Sequence, residues 1–143
     1  MSHRRVYFSR AVDGLVRSEV VSRGTELRET LRTMEIELID PVAAIPSRPT
    51  DPVRLFAGEE SDLVRSDLRL LRTSNAVLME MTIPDRNYVG CVCELTYAHL
   101  WGIPSVVWVG DTGYEVRPWL RYHATAVVHE QQEALDRLRA LLP

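Results

Sequence analysis

The sequence predicts an α/β domain: a doubly wound, five-stranded parallel sheet with helices on both faces. Two observations carry this. Five short β-type runs alternate with helical segments, the order that parallel strands and crossover helices produce. With 143 residues, 45% hydrophobic and 26% charged, the chain has the size and composition of one globular domain over 1–143, with no room for a second and no internal repeat.

Arg5 to Ser9 is a compact β-type run, and Arg17 to Arg32 has helical polarity with Val20, Val21, Leu27 and Leu31 as its apolar set. Met34 to Ile39 alternates apolar and acidic residues until Asp40-Pro41 breaks it. The stretch holding Pro41, Pro46, Pro49 and Pro52 then reads as a long loop, a length that belongs either to binding loops or to solvated coil. Ser61 to Arg72 reads as an amphipathic helix with Leu63, Leu68 and Leu71, and Asn75 to Met81 as an apolar strand. Pro84 to Asn87 is turn-like, Gly90 to Trp101 an apolar helix ended by Gly102, and Pro104 to Val109 a buried strand. Glu115 to Arg121 is a short helix, Ala124 to His129 the last strand, and Gln131 to Leu142 a final amphipathic helix. Ligands of such sheets bind at the carboxyl ends of the strands.

Composition excludes several mechanisms. All 17 basic residues are arginine. Without lysine there is no Schiff base, no pyridoxal-phosphate lysine and no Walker lysine. A formal charge of −3 argues against non-specific nucleic-acid binding, so no nucleic-acid partner is expected. No membrane-length apolar run or signal segment is legible, and the expected location is cytoplasmic with no membrane partner. Cys91 and Cys93, two apart in a helix, form neither a disulfide nor a zinc pair, and both read as buried small hydrophobes. His99, His123 and His129 have no metal-ligand spacing, so neither metal nor cofactor is expected.

Glu94 is the most informative position. Its helix is apolar nearly all round, which predicts burial, and a first-turn place would give the carboxylate backbone donors and the positive end of the helix dipole. An acid kept ionised in this way suits attack on an anomeric carbon, because only the ionised form attacks. A structural Glu closing a helix cap is the other reading, and spacing alone favours that structural role.

The block from Ile83 through Pro84-Asp85-Arg86-Asn87-Tyr88-Val89-Gly90 to Glu94-Leu95-Thr96-Tyr97-Ala98 resembles the nucleoside 2-deoxyribosyltransferase superfamily, which includes the 2'-deoxynucleoside 5'-phosphate N-hydrolases. The shared elements are an apolar strand, a Pro-Asp turn, Val-Gly, Glu-Leu four and five residues past the glycine, Tyr-Ala, and a strand opening after Gly-x-Pro. Weaker likeness runs through Val6-Tyr7-Phe8 and Asp67-Leu68. The resemblance implies a flavodoxin-like sheet, a symmetric homo-oligomer such as a homodimer, and a nucleoside or nucleotide substrate attacked at C1' by Glu94. It assigns Asp67 to proton handling at the leaving base or to the sugar, Tyr7 and Phe8 to the nucleobase, and Gly90 to close backbone approach. Ser9 and Asp85 join them as substrate-binding candidates. Glu80 either lines the site floor or is a paired buried acid.

Departures from the family bear on the substrate. Tyr88 stands where similar transferases carry aspartate and a phosphate-accepting hydrolase carries serine. Ser9-Arg10-Ala11-Val12-Asp13-Gly14 replaces the hydrolases' small Gly-Ser loop, leaving Arg10 as the candidate for their arginine. Arg117 is the matching candidate for a phosphate contact into a neighbouring subunit. With Arg86, these arginines favour a phosphorylated substrate. The expected function is therefore a hydrolase releasing free base from a nucleoside 5'-monophosphate. A base-exchanging transferase and a non-catalytic nucleotide-sensing domain are the alternatives.

Overall fold

The structure, a computed structural model, describes residues 4–12, 14–44 and 59–143. Strand β1 (Arg5–Arg10) leads through α1 (Arg17–Arg32) to β2 (Glu37–Ile39) and a single helical turn, α2 (Pro41–Ala44). Then come α3 (Glu59–Arg72), β3 (Ala76–Glu80), α4 (Val89–Leu100) and β4 (Ser105–Trp108). A 3₁₀ turn at Tyr114–Val116 precedes α5 (Pro118–His123), β5 (Ala126–Val128) and α6 (Gln131–Leu141). All strand pairs are parallel, in the order β2-β1-β3-β4-β5. The doubly wound sheet expected from the sequence is present.

Strand alternation divides the core in two. Val6, Phe8, Leu78, Val106 and Trp108 face α1 and α6, meeting Leu27, Leu31, Leu135 and Leu138. Tyr7, Val77, Met79 and Val107 face the other way, onto Leu71 of α3, Leu95 and Ala98 of α4, and Leu120 of α5. The β1–β3 register runs from Val6↔Ala76 to Arg10↔Glu80, whereas the β1–β2 ladder ends at Tyr7↔Ile39. The carboxyl end of β1 therefore projects beyond its pairing with β2.

Helix ends follow local chemistry. After α1 the Ile36 N–H reaches the Leu31 carbonyl at 3.0 Å and the Glu35 N–H reaches Arg32 at 3.0 Å, a Schellman closure with Glu35 at φ 60°. The turn consumes Met34 to Ile36, so the second strand begins only at Glu37. After α4 the same closure uses Gly102, at φ +69°, and Ile103. Pro118 opens α5 at its first turn, where its missing N–H costs nothing, and splits the single helix expected over Glu115 to Arg121.

Other expectations are corrected. Asp40 turns the chain into α2, because its carboxylate accepts the Val42 N–H at 3.2 Å, so the proline-rich stretch starts helical; Pro46, Pro49 and Pro52 lie outside the described residues. Helix α4 is not buried all round. It lies on one face of the sheet and buries only the stripe Cys91, Leu95 and Ala98. Val89, Val92, Tyr97 and Leu100 are exposed, and so is Cys93, contrary to the expectation that both cysteines are buried. Among the described residues, no helix is long and apolar enough to cross a membrane.

Candidate active site

Tyr7 and Ser9 are two apart on β1, so both side chains leave the same face of the strand, toward α4. There they meet Glu94. The Ser9 hydroxyl donates to Glu94 Oε1 at 2.9 Å and the Tyr7 hydroxyl donates to Glu94 Oε2. Glu94 is the sixth residue of α4, beyond its first turn, so the expected backbone donors are out of reach. Two hydroxyls take their place. The two hydrogen bonds orient the group. Charge-assisted bonds of this kind contribute about 1.5–3 kcal/mol each.

Asp67, half-buried on α3, lines the same cleft as Tyr7, Ser9 and Glu94. The cleft wraps over the end of β1, so Phe8 and Arg10 also border it although their side chains leave the opposite face. Phe8 stacks on Trp108 with ring centroids 6.2 Å apart, and the Arg10 guanidinium lies 4.6 Å above the Phe8 ring. Arg10 is not a strand-end arginine presented to solvent. Its side chain is 5% exposed and Nη2 is 2.9 Å from Asp40 Oδ2, while Nε is buried with no hydrogen-bond partner among the described residues. Burial lowers the Arg10 pKa, opposed chiefly by the charges of Asp40 and Glu80.

Glu80 belongs to this α1-side group. Its carboxylate is 2.6 Å from Arg23 Nη2, and burial raises its pKa despite the Arg23 and Arg10 charges. Of the two readings open from the sequence, the geometry is that of the paired buried acid.

Tyr88, Arg86 and Arg117 gather elsewhere, around a cavity of about 250 Å³ between α4 and α5, with Leu95, Tyr114 and Trp119. Tyr88 is buried, and its hydroxyl is engaged by the Ile83 backbone, accepting from N–H at 3.0 Å and donating to the carbonyl at 3.2 Å. Burial raises its pKa. That phenol closes the loop from Ile83 to Tyr88. Asp85 is exposed at φ 60° in the turn, and Gly90 is exposed at the start of α4, where an added Cβ would meet nothing within 4 Å.

The structure thus joins Tyr7, Ser9, Asp67 and Glu94, and separates Tyr88 and Arg117 from them. Sequence reasoning missed Arg23, Gly24 and the pairing of Asp40. Gly24 was the readable signal, because glycine inside a helix is unfavourable unless something packs closely against it. Among the described residues no group of three or more His, Cys, Asp or Glu side chains is arranged to hold a metal ion.

No known family profile and no curated protein sequence matches the chain. Solved structures do. One similar structure is a conserved protein from Enterococcus faecalis V583, with a TM-score of 0.67 and 16% identity over 97% of this chain and 99% of that one. Another is a 2-deoxyribosyltransferase from the psychrotolerant bacterium Bacillus psychrosaccharolyticus, with a TM-score of 0.64 and 15% identity over 90% of this chain and 88% of that one. The protein shares the fold of a 2-deoxyribosyltransferase.

Proposed function

We propose that the protein cleaves the N-glycosidic bond of a nucleoside or nucleoside 5'-monophosphate, with Glu94 as nucleophile. The observation that carries this is the Glu94 carboxylate, held by Tyr7 and Ser9 at the carboxyl end of β1 with Asp67 in the same cleft. An oriented carboxylate suits attack on C1', and a second carboxyl group suits proton transfer to the departing base. In the first step a Glu94 oxygen bonds to C1' as the C1'–N bond breaks, and the base nitrogen takes a proton from the Asp67 carboxyl. Water then attacks C1', releasing Glu94 and returning a proton to Asp67. The products are free base and free sugar, or sugar phosphate.

The cleft encloses only about 20 Å³, against several hundred for a typical ligand pocket. Binding a sugar therefore uses the open mouth of the cleft as well as its enclosed part. The case for a 5'-phosphate is weaker than the arginines alone suggest, since Arg10 is committed to Asp40; it rests on Arg86 and Arg117. A second reading is transfer of the sugar to another base, and the shared fold of a 2-deoxyribosyltransferase suits both readings alike. The two differ in whether water or a base opens the ester.

The proposal includes a homo-oligomer, with Arg117 contributing to a neighbour's cleft. Support comes from the exposed apolar face of α4 and α5, where Leu100 is 71% and Trp119 76% accessible, an unusual display for a solitary domain. The test of the activity is a panel of ribo- and deoxyribonucleosides and their 5'-monophosphates, with and without a second base, followed by base release. Base release supports the reading, exchange selects the transferase, and inertness toward every member refutes both.

A further inference from the structure

The residues on either side of Ser9 are held more firmly than a strand end requires. The β1–β2 ladder stops at Tyr7↔Ile39, so Ser9 and Arg10 lie beyond the backbone pairing on that side. There the Arg10–Asp40 bridge takes over at 2.9 Å, with side chains 5% and 2% exposed, and Asp40 is itself fixed by the Val42 N–H. Phe8 stacks on Trp108, and the Arg10 guanidinium lies over the Phe8 ring. On the β3 side Arg10 is in register with Glu80, which is tied to Arg23 of α1.

Helix α1 is shaped for this arrangement. A Cβ on Gly24 would sit 2.2 Å from Asp40 Oδ2 and 2.9 Å from Arg10 Nη2, so the helix passes the pair at a distance open only to glycine.

We infer that Arg10 and Asp40, with Gly24 as their steric complement, are positioning residues that fix the end of β1 and thereby hold Ser9 and the Glu94 carboxylate in reacting orientation. The inference rests on Glu94 being the nucleophile. It gives Arg10 a role other than phosphate binding. Its guanidinium works from the far side of the strand, through Ser9.

Two variants displace the clamp without altering any side chain that donates to Glu94. Gly24→Ala drives a methyl group into the pair and favours the helix. Asp40→Asn keeps the side-chain shape and removes the charge. The readout independent of activity is the proton NMR signal of the Tyr7 hydroxyl, identified by its loss in Tyr7→Phe. Both variants are expected to shift or broaden that signal. Both are also expected to lower kcat for base release about ten- to a hundredfold, the usual effect of a misplaced reacting group. KM is expected to change less than kcat, since the replaced residues do not donate to Glu94 and of the two only Asp40 borders the cleft. Arg10→Lys, which keeps a charge opposite Asp40, should retain more of kcat than Arg10→Met. The clamp is refuted if the folded variants keep the wild-type Tyr7 signal and kcat, or if Arg10→Lys and Arg10→Met are equally impaired. If the Tyr7 signal moves but the wild-type protein releases no base from any substrate, the clamp on the strand end stands, and its role in the reaction falls with the assignment of Glu94.

Discussion

Replacing Asp40 by alanine leaves the Arg10 charge buried without its partner, and the cost can be set from the geometry. Arg10 is 5% exposed and its Nη2 is 2.9 Å from Asp40. Removing one member of such a buried pair costs about 3–5 kcal/mol, mostly as the desolvation of the charge left behind. Loss of the Asp40 cap on Val42 adds little, because α2 is a single turn. Against a total stability of about 5–15 kcal/mol this is a large fraction. At roughly 2–4 °C per kcal/mol for a chain of this size, the melting temperature should fall by about 6–20 °C. The internal control is Glu80→Gln. Arg23 is 52% exposed, so water rehydrates it when its partner is neutralised, and burial already disfavours the Glu80 charge, so no comparable loss is expected. Urea denaturation of both variants decides the matter, and equal losses would refute the reasoning, because burial of the surviving cation would then have no energetic consequence.

Further predictions concern the carboxylates and the apolar face. Tyr7→Phe and Ser9→Ala each remove one charge-assisted hydrogen bond from Glu94, so base release should slow by roughly 10- to 150-fold per change in kcat measurements, the equivalent of about 1.5–3 kcal/mol. Glu80 titrates above its ordinary value of 4.5 in the folded protein because burial disfavours its charge. The native state therefore binds more protons than the unfolded state between that value and the raised one. Its contribution to stability is complete below pH 4.5 and is lost as pH rises through the raised pKa. Denaturation at several pH values should show Glu80→Gln gaining on the wild type across this window, and a constant difference would contradict the assignment. Trp119→Arg places a charge in the exposed α5 face and should shift light-scattering mass from oligomer to monomer; a wild-type protein that is already monomeric removes the basis for that expectation.

The layered architecture was legible because it depends on local periodicity. Helix α1 has the expected bounds, Arg17–Arg32, since Leu27 and Leu31 recur at helical spacing and meet one core. The site was legible in part. Glu94 stood out as an acid in an apolar helix, but its partners did not, because Tyr7 and Ser9 are 87 and 85 residues away in sequence and only the β1–α4 packing brings them together. Alternation along β1 already assigned Tyr7 and Phe8 to opposite faces, a signal the sequence reading left unused. Arg10 illustrates the opposite difficulty. Nothing in the sequence near an arginine indicates that an aspartate 30 residues later neutralises it, and only the glycine in α1 hinted at a close approach.

The central claim is that Glu94 becomes covalently attached to a sugar. It is tested most directly by mixing the protein with a substrate identified in the nucleoside and nucleotide panel, quenching in acid during turnover, and weighing the peptide that contains Glu94 by mass spectrometry. The account predicts a mass increase equal to the substrate's glycosyl group, located on Glu94 and absent from Glu94→Ala, which also releases no base. Base release by Glu94→Ala at the wild-type rate, with no adduct on the wild-type peptide, would contradict it.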